Sequence, residues 1–338
     1  MAFSAQRAIL GASGTPSGAG GSGDIGLLCG GDNRSADPDE YTNMIQVISI
    51  SSTGDATDWS ADLDLARGAT GTMSNGTRGV CAGGATNLGG SYGGRQTKMD
   101  YITFSSAANA TDFGDLLANA HFGTGAGASN GSSDRGIISG FNRHGAGARD
   151  DRIEYITISS TANATDFGNM THNRTTGANT SNGTSDRGIS AGGYSDDDPY
   201  WHNVIDYITI SSTGDATDFG DLSVARQNSA GMSNLTNERG VFGAGNHPRS
   251  TTIDYITINS TAIATDFGDT STDKNSATGL SSGTDERGVM AGGYDAGGGT
   301  GGTMDVIEYI TINSTANVTD FGDMLFDGQS VGGMSNAG

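Results

Sequence analysis

Apolar and polar positions follow one another in short extended stretches along this chain, and no stretch keeps a helical period. In "VIDYITI" at 204–210, apolar side chains fall on both faces of an extended segment. That is the pattern of a strand covered on both sides. A second kind of stretch, "RGVCAGG" at 78–84, joins small apolar residues to a glycine pair. A third, "GATGTMSN" at 68–75, is almost wholly small residues. A fourth, "TDFGDL" at 217–222, carries one aromatic between acidic and polar neighbours, as expected of a strand half open to water. Clusters of Gly, Asn, Asp and Ser separate them. The "STGDAT" and "STANAT" pieces read as hairpin turns, because Gly, Asn and Asp tolerate the backbone angles required.

These four words recur in fixed order. The tyrosine of "YITI" or its variant falls at Tyr101, Tyr155, Tyr207, Tyr255 and Tyr309, with Val47 in a worn first copy. The glycine-pair word occurs at 78–84, 135–141, 187–193, 239–245 and 287–293, with "IGLLCGG" at 25–31 as its sixth copy. The spacing of 48 to 54 residues is that of a propeller or solenoid. Four strands per period make the expected fold class all-β, a six-bladed β-propeller with four antiparallel strands per blade. We call the strands a (small residues), b (glycine pair), c ("YITI") and d ("TDFGD"), from the axis outward. Strands near the axis need small side chains, and outer strands meet solvent. A parallel β-helix is the competing architecture, but its coils are usually shorter.

Segment a has a further copy at each end, at 7–14 and 328–336. A ring needs only one of them. The expected closing strand is the C-terminal copy, set beside the N-terminal b, c and d strands, which removes the open edges. Residues 1–24 then form an N-terminal arm free to pack elsewhere; the reverse assignment also satisfies the pattern. The chain reads as one domain, 1–338.

The order of b, c and aromatic d strands resembles the kelch repeat, which also places a basic residue before its innermost strand. Arg67, Arg174, Arg226 and Lys274 match that position. The tryptophan usual in kelch strand d remains only as Trp59, with Phe113, Phe167, Phe219, Phe267 and Phe321 elsewhere. The wording "YITISSTGDATDFGDLSVAR" also resembles a repeat of marine bacteriophage proteins, cyanophages above all, found in tails and other virion parts. That resemblance implies a non-enzymatic virion protein, tail- or fibre-associated, assembled in the host cytoplasm in many copies. Its implied partners are other virion proteins and a host-surface glycan. A purely architectural decoration protein and a cytosolic kelch-like interaction module are the alternatives.

Composition narrows the partners. Net charge is −21, which repels phosphate backbones and anionic membranes. Neither nucleic-acid binding nor membrane insertion is expected, and the N-terminus lacks the apolar region of a signal peptide. The 57 glycines come with only 4 prolines and no Gly-X-Y period, so collagen is excluded. Cys29 and Cys81 read as buried small hydrophobes.

Candidate chemistry divides into repeated and unrepeated residues. Arg78, Arg135, Arg187, Arg239 and Arg287 recur at one position, and Asp58, Asp112, Asp166, Asp218, Asp266 and Asp320 at another. Both sets read as structural, with Arg expected to pair with Asp of a neighbouring blade. The b–c loops differ most between copies and should open on one face. That face collects Tyr41, Tyr92, Arg143, His144, Arg149, Tyr200, Trp201, His202, His247 and Arg249 as candidate ligand- or partner-binding residues. "DDDPYWH" at 196–202 is the strongest local candidate: an aromatic stacks on a pyranose while carboxylates accept its hydroxyls. Packing of Trp201 over a neighbouring loop is the alternative. Asp196, Asp197 and Asp198 read as a solvated charge run. Three histidines on different loops have no ligand spacing, so no metal is expected. No catalytic residue or cofactor is expected, since no GxSxG, HExxH or P-loop word occurs.

Overall fold

The structure is a computed structural model that describes residues 23–33, 40–86, 94–121, 126–143, 149–175, 177–295 and 302–338. Among them the chain is all-β and propeller-like, built of four-strand antiparallel groups. In the group most central in sequence, a is Ala178–Ser181, b Arg187–Tyr194, c Trp201–Thr209 and d Thr217–Asp221. They pair a–b, b–c and c–d, all antiparallel. The next group repeats this with Ala230–Ser233, Arg239–Gly243, Thr252–Thr257 and Thr265–Asp269. The same a-b-c-d pairing holds for Gly71–Ser74 to Thr111–His121, for Gly127–Ser129 to Thr165–Asn169 and for Thr278–Ser281 to Thr319–Gln329. We number these units by their b strands, so that the unit of Arg78 is the second and that of Arg287 the sixth.

The first unit takes its inner strand from the other end of the chain. Gly332–Ser335 pairs antiparallel with Ile25–Asn33, matching Leu27 with Met334 and Cys29 with Gly332. Its a–b turn is therefore interrupted, yet the turn's hydrogen bonds are kept. In the third unit Asn130 accepts the Arg135 N–H at 2.7 Å; in the first, Asn336 accepts the Ile25 N–H at 2.8 Å. The expectation that the C-terminal copy of segment a lies beside the N-terminal b strand agrees with this pairing. Of the expected arm 1–24, residues 1–22 lie outside the described residues, and Gly23 donates its N–H to Asn336 at 3.0 Å.

Small residues on the inner strands answer a distance constraint. A Cβ on Gly279 would stand 2.3 Å from the Gly231 carbonyl oxygen, and one on Gly231 would stand 2.4 Å from that of Asn179. No side chain fits at such separations. Each inner strand touches the inner strands of the units on either side, and Gly332–Ser335 touches both Gly71–Ser74 and Thr278–Ser281. Between them lies a cavity of about 100 Å³ lined by residues from all six inner strands, Ser74, Ser129, Ser181, Ser233, Ser281 and Ser335 among them.

The core is a set of apolar seams between consecutive units. One joins Ile189, Ile205 and Phe219 to Phe242, Ile256 and Ile258; another joins Leu280, Val289 and Phe321 to Leu28, Ile48 and Ile50. Cys29, Cys81 and Trp59 are buried together in the seam between the first and second units. The double-faced apolar pattern of strand c arises here, because alternate side chains enter different seams.

The repeated arginines cross these seams by a different contact from the one expected. Arg187 lies with Cζ 4.3 Å from the Tyr207 ring centroid and donates from Nη1 to the Ile258 carbonyl of the next unit at 2.9 Å. Arg78, Arg135, Arg239 and Arg287 do likewise over Tyr101, Tyr155, Tyr255 and Tyr309. The expected Arg–Asp pairing is thus replaced by a cation–π contact and a charge-assisted bond to backbone. The d-strand aspartates Asp112, Asp166, Asp218, Asp266 and Asp320 are exposed on the outer strands instead.

A second set of charges, wholly buried, joins the d–a connection to strand c. Arg67 pairs with Asp100 at 3.0 Å, Arg174 with Asp206 at 3.0 Å, Arg226 with Asp254 at 2.8 Å and Lys274 with Glu308 at 2.5 Å. The carboxylate also takes backbone and hydroxyl donors from the preceding unit: Asp254 accepts Ser223 N–H at 3.2 Å and Ser223 Oγ–H at 2.6 Å. Burial pushes the Asp100 carboxyl up despite Arg67 beside it. The first unit has lost both charges together. Gln46 replaces the carboxylate and still accepts the Leu325 N–H at 2.7 Å, while Gly328 stands where the cation would be. Burying one charge without its partner costs far more than losing both.

Two outcomes are expected. Asp254→Asn, which leaves Arg226 buried without its counter-charge, should cost about 3–5 kcal/mol in urea unfolding. Adding Arg226→Met should cost less than the sum of the two single changes by at least ~1.5 kcal/mol. Strict additivity would show that the pair is not coupled.

Candidate functional site

Strands b and c of the fourth unit are joined by a short loop, 195–200, whose shape is fixed from within. Ser195 is 5% exposed; its Oγ–H faces the Asp197 and Pro199 carbonyls at 2.7 and 3.0 Å, and its N–H donates to the Tyr200 carbonyl at 2.8 Å. Tyr194, the last residue of strand b, is the cross-strand partner of Trp201, the first of strand c. The register thus places their rings side by side, with centroids 5.9 Å apart. Tyr200 completes the group at 6.0 Å from Trp201. Both Tyr200 and Trp201 are exposed, at 47% and 36%.

Neighbouring units hold this cluster on two sides. His247, from the b–c connection of the fifth unit, stacks on Trp201 at 4.7 Å and 19°. Arg149, which opens strand c of the third unit, lies with Cζ 4.6 Å from the Tyr194 centroid and pairs with Asp196 at 2.7 Å. The Arg149 N–H also donates to Asp196 at 3.1 Å. Three consecutive b–c connections therefore converge on one surface, and this surface is aromatic.

The candidate residues separate accordingly. Tyr200, Trp201 and His247 come together, and Arg149 joins them. Arg249 is exposed two residues beyond His247. Tyr41 belongs to the first unit, where its ring lies over Gly68, 3.0 Å from the position a Cβ would take. Tyr92, His144 and the side chain of Arg143 lie outside the described residues. Asp196 is paired with Arg149 and so is not part of a purely solvated run, while Asp197 and Asp198 are exposed. Tyr194 was not among the candidates. It opens the variable stretch 194–203, just after the repeated glycine-pair word, and cross-strand pairing with Trp201 is the signal that identifies it.

His202 differs from its neighbours. Alternation along the strand turns it inward, where it is 5% exposed and its ring centroid stands 5.2 Å from that of His172. The same pocket holds the buried Arg174–Asp206 pair, and His172 Nδ1 lies 2.9 Å from Thr171 Oγ1. Burial, with Arg174 and His172 adding to it, pushes the His202 imidazole down to about 4. His202 is therefore a neutral packing residue at neutral pH and lies apart from the exposed surface. Among the described residues no group of three or more His, Cys, Asp or Glu is arranged to hold a metal ion, and no helix is long and apolar enough to cross a membrane.

No protein-family model and no curated protein matches this chain.

The His202 environment sets a pH dependence. Its folded value lies below the unfolded value of about 6.5, so its contribution to stability is intact above that value. As pH falls, the unfolded chain takes the proton first, and the contribution is lost as pH drops through the folded value of about 4. Urea unfolding at pH 7 and pH 4.5 should show a loss for the native chain that is smaller in His202→Asn. An equal loss in both would remove His202 as its source.

Proposed function

We propose that the six strand groups are the blades of one kelch-like ring, closed by the C-terminal inner strand, and that the ring is a non-enzymatic virion component, tail- or fibre-associated. On this reading its b–c face binds a host-surface glycan. The succession of inner-strand contacts and the pairing of Gly332–Ser335 with Ile25–Asn33 support the ring. The wording of the repeat supports the virion.

The observation that carries the binding role is the exposed aromatic surface of Tyr194, Tyr200, Trp201 and His247 beside Asp197 and Asp198. Large exposed aromatics in contact with one another keep apolar area in water, which a folded chain usually avoids outside interaction surfaces. A pyranose has an apolar face that covers a ring and hydroxyls that carboxylates accept. A loop held by Ser195 and by neighbouring units loses little freedom on binding, which favours affinity. Many rings on one particle turn weak single contacts into durable attachment. The acidic surface, at a net charge of −21, disfavours nucleic acid as the ligand.

Two experiments test this. The double change Tyr200→Ala, Trp201→Ala should lower binding to host cells or their surface glycans at least ~30-fold, as loss of a central aromatic anchor does. It should lower unfolding free energy by about 1–2 kcal/mol, for the lost ring contacts, and leave the chain folded. Unchanged binding would remove this face. Quantitative mass spectrometry of purified virus particles should find this chain at a fixed copy number; its absence from particles would remove the virion role.

A further inference from the structure

Consecutive units meet through their b strands, and the fifth residue of one glycine-pair word faces the fourth residue of the next. A Cβ on Gly243 would stand 2.7 Å from Met290 Sδ. Ala191 and Phe242 share a seam by the same rule, and the corresponding residues do so in two further seams. In all of these a small residue faces a large one. Between the third and fourth units both residues are short and polar. Ser139 and Ser190 are buried there with their hydroxyl oxygens 3.0 Å apart.

Cys29 and Cys81 occupy the equivalent places between the first and second units. Strand register fixes the equivalence. Cys29 is paired with Ile45 as Ser139 is with Ile153, and Cys81 with Asp100 as Ser190 is with Asp206. Both cysteines are fully buried, belong to one apolar cluster and are hydrogen-bonded thiol to thiol. Thiols already in contact need only a small approach to reach an S–S separation of about 2.05 Å. The chain has two cysteines, so no other intramolecular pairing competes.

We propose that Cys29 and Cys81 are the site of an oxidation-dependent disulfide that fastens the first unit to the second. It is independent of what the b–c face binds. The first unit is where a fastening matters most, because its inner strand, Gly332–Ser335, pairs with Ile25–Asn33 without an a–b turn between them, and Cys29 lies opposite Gly332 in that pairing. If the pairing opens, the disulfide still holds strand b of the first unit against the second. The oxidant is a low-molecular-weight disulfide such as oxidised glutathione. One cysteine thiolate attacks it, forms a mixed disulfide and expels one small thiolate. The other cysteine thiolate then attacks the protein sulfur of the mixed disulfide and expels the second. The chain gives up two protons and two electrons, and the small disulfide becomes two thiols. The hydrogen bond with Cys81, together with burial, pushes the Cys29 thiol well above its ordinary range. The closed seam therefore reacts slowly, and the bond forms while the seam is open, as the chain folds.

The test is the equilibrium between thiols and disulfide in the full chain. The chain is refolded from urea into buffers of set ratios of oxidised to reduced glutathione, and a second set is held in the same buffers with concentrated urea. After acid quenching, mass spectrometry counts the chains that have lost two hydrogens, and peptide mapping places the link. The link should join the segments containing Cys29 and Cys81, and its equilibrium constant should be at least ~30-fold larger in the folded chain than in urea, because the fold holds the two sulfurs together. The cross-linked chain should melt about 5–10 °C above the reduced one. The double change Cys29→Ser, Cys81→Ser should fold, since Ser139 and Ser190 already fill the equivalent seam, and its melting should not respond to the oxidant. A constant in the folded chain equal to or below that in urea would overturn the site. So would a folded chain that yields only glutathione adducts or disulfide-linked dimers, and the cysteines would then be buried packing residues alone.

Discussion

A sheet that is apolar on both faces is covered only when another sheet lies against each side. Every unit of this chain is such a sheet. Ile205 and Ile208 lie on a single strand, separated by Asp206 and Tyr207, and they enter different seams. No unit can therefore bury its apolar surface alone, and the first and sixth must meet as the others do. The seam of Leu280, Val289 and Phe321 with Leu28, Ile48 and Ile50 is that meeting. The rest of the structure follows from this demand: small residues where inner backbones crowd, outer strands with acidic surfaces, and polar contacts that fix each unit against the next.

Those polar contacts work at different depths. Near the a–b turns, arginines lie on tyrosine rings and reach a carbonyl of the following unit. Near the d–a connections, buried cation–carboxylate pairs hold the loop to strand c. The first unit lacks both charges, with Gln46 and Gly328 in their places, whereas the third keeps its buried carboxylate, Glu154, which meets Arg152 of its own strand at 3.6 Å. The same frame positions the b–c surface. Arg149 and His247 come from the units flanking Tyr194 and Trp201, so the aromatic cluster depends on how three units are set together.

Much of this was legible in the sequence, and what was not has a common cause. Repeated words located the strands and their order, because a two-residue alternation and turn residues are local properties; they left two candidates for the inner strand of the first unit, and the pairing of Gly332–Ser335 with Ile25–Asn33 decides between them. The partner of Arg78 and its equivalents was not legible. It is a backbone carbonyl and a ring across a seam, and carbonyls leave no mark in a sequence. The buried carboxylates were half visible: Asp100, Glu154, Asp206, Asp254 and Glu308 all precede "YIT", yet within an apolar strand they gave no indication of their cationic partners. At the site, Tyr200 and Trp201 were legible as exposed aromatics in a variable loop. Tyr194 required the strand register, and His202 required the alternation that turns it inward.

The proposed function rests on one surface, the aromatic cluster of the fourth unit and its neighbours. Hydrogen–deuterium exchange of the full chain, with and without glycans released from the host surface, tests it most directly. The account predicts added protection confined to segments containing 194–203 and 246–249, with the c strands of all units unchanged. Protection confined to the c–d turns, or none at saturating glycan, would contradict it.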